Sequence, residues 1–192
     1  MIFDVIDLEK PDLGGNLRAG DSWSFTPILW KYLIDRFAIR SMLDIGCGEG
    51  HAVAFFNQHG VYAHGIDGLP LNIKRSVFPI ALHDLKTGPY IMPVDLTLCV
   101  ETVEHIDKQY IEPLITTLCN GKIIAMTFCP PEVDGGWHHV NTQPQSYWVE
   151  HIQNMHYTLV LDNDLYRQVA SNDIGDKYFT RTGLVFVRDG VI

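Results

Sequence analysis

Leu43-Asp44-Ile45-Gly46-Cys47-Gly48-Glu49-Gly50 lies where an apolar, strand-like run passes into a helix-like segment. Glycines at 46, 48 and 50 permit a tight turn, let a ligand approach backbone N–H groups, and set that ligand at a helix N-terminus. A purely structural turn is the plainer alternative, since short glycine motifs are common. A dinucleotide fingerprint needs glycine or alanine at the sixth place of G-x-G-x-x-G, where this chain has His51. The spacing therefore leans away from NAD.

Working outward from that turn, strand-like runs alternate with helix-like segments. The strand candidates are Met42 to Ile45, Val61 to Ile66, Val77 to Leu82, Val94 to Val100, Lys122 to Phe128, Tyr157 to Leu161 and Leu184 to Val187. Helices are expected over Phe25 to Phe37, Gly50 to His59, Leu71 to Arg75, Asp107 to Leu118, Pro144 to Met155 and Asn163 to Ala170. Parallel strands need such crossovers, and the alternation argues for an α/β fold. Ser171 to Lys177 is too polar for a buried crossover and reads as a long turn between antiparallel neighbours. The expected architecture is a Rossmann-like, seven-stranded mixed sheet, mostly parallel with an antiparallel last strand and helices on both faces. One domain spans residues 1–192: an N-terminal lid and helix region over 1–40, a cofactor-binding half over 41–128, and a substrate loop with the C-terminal strands over 129–192.

Apolar residues make up 46% of the chain and aromatics 11%, enough for a substantial core. Lys plus Arg number 14 against 23 Asp plus Glu, a formal charge of −9, so phosphate would be repelled on average. Lys74-Arg75 is the only short basic pair, which argues against nucleic acid as a partner. Cys47, Cys99, Cys119 and Cys129 form no C-x-x-C pair and read as reduced thiols. With Met1 to Asp7 too acidic for a signal peptide and too short for a bilayer span, a cytoplasmic setting without membrane attachment is expected.

Asp44-x-Gly46-x-Gly48-x-Gly50 resembles the first motif of class I S-adenosylmethionine (SAM)-dependent methyltransferases. In that family the loop, here Gly46, Cys47, Gly48 and Gly50, runs beneath the methionine and ribose portions of SAM, and the acid at 44 sets the loop. The likeness extends to Gly20-Asp21-Ser22-Trp23, Gly135-Gly136-Trp137-His138-His139-Val140-Asn141, Gln143-Pro144, Tyr147-Trp148 and Tyr178-Phe179, which resemble small methyltransferase-domain proteins of bacteria and phages. It implies SAM as cofactor and S-adenosylhomocysteine as product, without naming an acceptor.

Asp67-Gly68-Leu69 closes the second strand about twenty residues beyond the first glycine, where a carboxylate can accept hydrogen bonds from both ribose hydroxyls; a turn aspartate is the alternative. His83-Asp84-Leu85 resembles the position where an acid receives the adenine amino group and an apolar neighbour packs on the ring, with a helix or turn cap as the competing reading of Asp84. Pro93 to Ile106 resembles the family's fourth motif, which implies that Glu101, Glu104 and His105 border the methionine end of SAM and the acceptor. Alternatively, Glu104 is a helix-start carboxylate.

Cys129 to Pro144 is an irregular loop at the C-terminal edge of the expected sheet, where open α/β folds bind ligands. Trp137 and Asn141, with Trp23 from the N-terminal region, are candidates to hold the acceptor. His138 or His139, with His105 in reserve, are candidate general bases, because neutral imidazole takes a proton at physiological pH. Helix capping is the competing role for the paired histidines. Ligand spacing supports no metal site from these histidines and Glu101, and none is expected. Trp30, Leu33, Ile34 and Phe37 read as a core stripe, although the region around Trp23 and Trp30 is also a candidate lid.

Together these readings give a methyltransferase acting on a small-molecule or carbohydrate-like acceptor, at oxygen. The alternatives are a SAM-binding module without catalysis, and a nucleic-acid methyltransferase drawing Lys31, Lys74, Arg75 and Lys86 around its pocket.

Overall fold

The central strands are largely buried on both faces, as their mostly apolar runs suit a sheet covered by crossover helices. The computed structural model describes residues 13, 18–133, 136–175 and 178–191. In chain order the elements are α1 (Pro27–Phe37), β1 (Ser41–Ile45), α2 (His51–Gln58), β2 (Tyr62–Asp67), α3 (Pro70–Arg75), β3 (Ala81–Leu82), β4 (Val94–Cys99), α4 (Ile111–Leu118), β5 (Gly121–Met126), α5 (Gln145–Gln153), β6 (Tyr157–Leu159), α6 (Asn163–Ala170), α7 (Tyr178–Thr182) and β7 (Leu184–Arg188). The sheet order is β3-β2-β1-β4-β5-β7-β6. The first five strands pair in parallel, and β7 runs antiparallel to both of its neighbours.

Alternation along each strand sorts side chains to the two faces. On β1, Leu43 and Ile45 join Leu114, Leu118 and Trp148 in one core cluster. Met42 points the other way, into a second cluster with Leu33, Phe56, Leu96, Tyr166 and Phe179. Trp30 and Leu33 are buried there, so the α1 stripe is core, as its helical spacing predicts.

Four local expectations need correction. The third strand is only Ala81–Leu82, because Pro79 has no N–H for a ladder and the Val77 N–H instead donates to the Glu49 carbonyl (2.9 Å). The expected helix from Asp107 divides into a 3-10 turn, Lys108–Tyr110, capped by the Asp107 carboxylate on the Gln109 N–H (3.0 Å), followed by α4. The first helix starts at Pro27 rather than Phe25, with proline in the first turn where its missing donor costs nothing.

The fourth correction is the segment read as a long turn. It leads into α7, and Asp173 within it caps α1 from across the molecule, accepting from the Ile28 N–H (2.9 Å) and the Leu29 N–H (3.2 Å). The residue at the α1 N-cap, Thr26, makes no side-chain cap of its own, so Asp173 satisfies donors the helix leaves open. All four cysteines are free thiols; Cys99 and Cys129 are buried. Among the described residues no helix is long and apolar enough to cross a membrane.

Candidate active site

The C-terminal ends of β1, β2 and β4 open on one edge of the sheet, where the strand order reverses around β1 and β4. That crevice is where open α/β sheets take ligands. A cavity of about 1070 Å³ occupies it.

Its floor is the glycine turn. The Gly46 and Cys47 N–H groups both donate to the Ile66 carbonyl (2.9 and 3.0 Å), which folds the chain back against the end of β2. Gly46 has φ +68°, and a Cβ there would collide with the Thr102 side chain. Gly50, at φ +81°, is the left-handed N-cap of α2, so the turn delivers the helix start to the cavity.

Asp67 joins this turn to the next one. Its Oδ2 accepts from the Gly48 N–H (2.9 Å), and its Oδ1 from the Leu69 N–H (2.8 Å) and Asn72 Nδ2 (3.0 Å). Burial pushes its carboxyl up to about 6, with those three hydrogen bonds opposing. Asp44 is pushed up to about 8, first by burial and then by the charge of Asp67, and so is protonated at neutral pH. Both line the cavity, as do Gly68, His83, Asp84 and Leu85. Asp84 also caps the short 3-10 turn at 85–87 by accepting from the Lys86 N–H (2.9 Å), so both readings of that residue are compatible with its position.

The segment before α1 closes over the turn. The Ala19 N–H donates to Glu49 Oε2 (3.1 Å), and a Cβ on Gly20 would stand 2.8 Å from the His51 ring. Asp21 Oδ2 accepts from the Tyr178 hydroxyl (2.9 Å), and the Trp23 and Tyr178 rings meet edge to face at 5.8 Å. Burial, then the charge of Asp21, holds the Tyr178 phenol far above its ordinary range.

Opposite this segment, Glu101 stands two residues past the end of β4, in the left-handed region at φ +49°. Thr127 at the end of β5 braces it twice: the Glu101 N–H donates to Thr127 Oγ1, and that hydroxyl donates to Glu101 Oε1, each at 2.8 Å. Burial raises the Glu101 carboxyl to about 7. Such strain in a non-glycine residue gathers at functional sites because the surroundings hold it there.

Behind Glu101 the next turn, Val103–His105, buries Glu104 completely. Neither Glu104 carboxyl oxygen has a hydrogen-bond partner among the described residues. Burial, then the charge of Glu101, raises this carboxyl well above the usual range. The loop after β5 is clamped to the turn, with the Val140 and Asn141 N–H groups donating to the Glu104 carbonyl (3.0 and 2.9 Å). That clamp sets the His139 ring edge-on to the His105 ring, centroids 4.9 Å apart. Burial, then His139, lowers His105 to about 4, and burial lowers His139.

The candidate cofactor residues Asp44, Gly46, Cys47, Gly48, Asp67, Gly68, His83, Asp84, Leu85 and Glu101 are thus brought to one cavity, together with His105 and Trp23. Gly50 shapes it as a helix cap, while Leu69 lies buried beside Asp67. Glu104, Trp137, His138, His139 and Asn141 are not among its lining residues; they stand behind His105. Asp134 and Gly135 of that loop lie outside the described residues, as do Met1 to Asp7. Sequence reasoning missed Glu49, Thr102, Tyr178 and Asn172 to Gly175 as cavity residues. The Tyr178-Phe179 stretch, which shares the family likeness with Gly20-Asp21-Ser22-Trp23, is the signal that could have found Tyr178; a polar turn such as 172–175 carries none.

No family model matches the chain, and no curated protein matches it in sequence. Solved structures do match in fold. The sugar N-methyltransferase KedS8 from Streptoalloteichus sp is 13% identical, over 98% of this chain and 94% of that one, with a TM-score of 0.62. Magnesium protoporphyrin IX methyltransferase from Synechocystis, solved with bound S-adenosylhomocysteine, is 11% identical over 84% and 80%, at 0.62. The [4+2]-cyclase SpnF is 12% identical over 84% and 81%, at 0.58. The chain has the fold of the class I SAM-dependent methyltransferases.

Proposed function

We propose that this chain is a SAM-dependent methyltransferase that acts on a small or carbohydrate-like acceptor, at oxygen. The observation that carries the reading is the continuity of one cavity from Asp67 and Asp84, past Gly46 to Gly48, to Glu101, His105 and Tyr178. At about 1070 Å³ it reaches the top of the range of roughly 300–1,000 Å³ for drug-sized ligands, room for a nucleoside cofactor beside a small acceptor. Structural neighbours that bind SAM or its product support the cofactor, and a sugar N-methyltransferase among them supports the acceptor class but not the oxygen.

The residues fit SAM. Asp67 keeps one lone-pair site, on Oδ2, for a ribose hydroxyl after its three internal hydrogen bonds, since each carboxylate oxygen accepts twice and Oδ1 is already filled. Asp84 would receive the adenine amino group, and Leu85 would pack on its ring; both line the cavity. When bound, SAM supplies a methyl group on a cationic sulfonium, open to in-line displacement. The acidic surroundings of Asp21, Glu49, Asp67 and Glu101 favour such a cation, and among the described residues no Lys or Arg lines the cavity. The absence of basic lining also disfavours nucleic acid as acceptor.

A hydroxyl acceptor must lose a proton as its oxygen attacks. Among the three candidate histidines, only His105 lines the cavity, and burial lowers it to about 4, which leaves Glu101 as the stronger base. Glu101 beside it, raised to about 7, exchanges a proton readily near neutral pH. Trp23 and Tyr178 close the opposite wall and exclude water.

Incubation with methyl-labelled SAM and separate panels of sugars, small alcohols, amines and structured RNA tests the reading. Label transfer to a hydroxylic small molecule, lost in Glu101→Gln, is expected. Transfer to amines alone would move the reaction to nitrogen, where no base is needed. Transfer to RNA alone would overturn the acceptor class. The neighbouring [4+2]-cyclase shows that this fold also carries reactions other than methyl transfer, so SAM binding without turnover on any panel would favour a non-catalytic binding module.

A further inference from the structure

We propose that Glu104, His105 and His139 form a divalent-cation site behind the cavity wall that His105 lines. Each offers one ligand atom, and the three atoms lie within 4.8 Å of one another. Three atoms no farther apart than that fall within about 2.8 Å of a common point, and contraction by well under an ångström would bring them to the ~2.0–2.2 Å of zinc–nitrogen and zinc–oxygen bonds.

The second observation is the state of the ligand groups. Glu104 is completely buried, with neither carboxyl oxygen partnered among the described residues, and Nδ1 of both His105 and His139 is buried without a partner. A protein interior rarely leaves so many polar atoms unsatisfied in one place without an ion or water to receive them.

The architecture is built for spacing. Glu104 and His105 come from one turn after β4, and His139 from the loop after β5, which two backbone hydrogen bonds clamp to the Glu104 carbonyl. Two histidines and one carboxylate leave coordination positions open for water or substrate, as in catalytic rather than closed structural sites. Sequence spacing did not favour a metal here because the third ligand arrives from more than thirty residues away.

The consequence for chemistry rests on the methyltransferase reading. As the acceptor oxygen forms the new C–O bond, the C–S bond breaks with its electron pair passing to sulfur, and the hydroxyl proton passes to Glu101, which lines the cavity. His105 is then a ligand at the wall, and Glu101 is the base.

The binding test needs no methyl transfer. Chelator-stripped full-length protein is titrated with Co²⁺ by visible absorbance and with Zn²⁺ and Mn²⁺ by calorimetry, for wild type, E104Q, H139A and the exposed control H59A. Saturable binding is expected, weakened at least about tenfold by H139A and by E104Q, unchanged in H59A, with S-adenosylhomocysteine affinity retained in H139A. If E104Q does not fold, the loop variant H139A decides. No saturable binding, or binding that H139A leaves intact, overturns the site. Lost metal binding alongside intact cofactor binding separates failure here from failure of the methyltransferase reading.

Discussion

Replacing Asp67 with asparagine keeps the side chain's shape and removes its charge, at a residue with two separable jobs. Inside the protein it accepts three hydrogen bonds, from the Gly48 and Leu69 N–H groups and Asn72 Nδ2. Toward the cavity, its remaining lone-pair site on Oδ2 is the proposed seat of a ribose hydroxyl. One hydrogen bond to a charged acceptor contributes roughly 1.5–3 kcal/mol, so its loss should weaken S-adenosylhomocysteine by about that amount, on the order of ten- to a hundredfold. The internal bonds should show separately as lower thermal stability without ligand, since the new amide would set a donor against the Gly48 N–H.

Calorimetry of D67N and D67A against wild type reads the first effect, and thermal unfolding of the unliganded variants the second. The pH dependence supplies an independent check. With its carboxyl raised to about 6, Asp67 must be ionised to accept the ribose hydroxyl beside its internal bonds, so wild-type affinity should fall towards tenfold per pH unit below about 6 and level off above it. The variants should lack this slope. Affinity within a fewfold of wild type in both folded variants, or an identical pH slope in D67A, would refute the ribose assignment.

Other residues give shorter tests. Gly46→Ala should cost about 1–3 kcal/mol of stability from the left-handed backbone alone, more from collision with Thr102, and should weaken cofactor binding; a thermal melt and a titration matching wild type would contradict the turn's role. Asp173→Ala opens two donors at the start of α1 and should lower stability by about 2 kcal/mol in denaturant unfolding, whereas no change would mean that water caps the helix equally well. Asp44, raised to about 8, carries stability that is fully present below its unfolded value and is lost as pH rises through about 8. Asp44→Asn should therefore gain on wild type as pH climbs from 4 to 8, by at most about 1.4 kcal/mol per unit; a pH-independent difference would show that Asp44 ionises freely.

Periodicity and the glycine spacing made the sheet and its cofactor side legible, because Met42 to Ile45 and Val94 to Cys99 are buried on both faces and can be little else. Asp67 was legible for the same reason, standing at a strand end a fixed distance past the turn. What escaped was long-range. Asp173 caps a helix that begins about 145 residues earlier in the chain, and nothing in Ser171 to Gly175 announces that partner. Tyr178 reaches the cavity through Asp21, a contact spanning 157 residues. The histidines illustrate the same limit: their chemistry was readable, but only the clamp of Val140 and Asn141 on the Glu104 carbonyl puts His139 against His105 and behind the cavity wall.

Calorimetric titration of the purified protein with SAM and S-adenosylhomocysteine, with NAD as the control ligand, tests the central claim most directly. Micromolar or tighter binding of either sulfur ligand, with no heat from NAD, is the predicted result. Binding of NAD, or of none of the three, would contradict the account and return the glycine turn to a structural role.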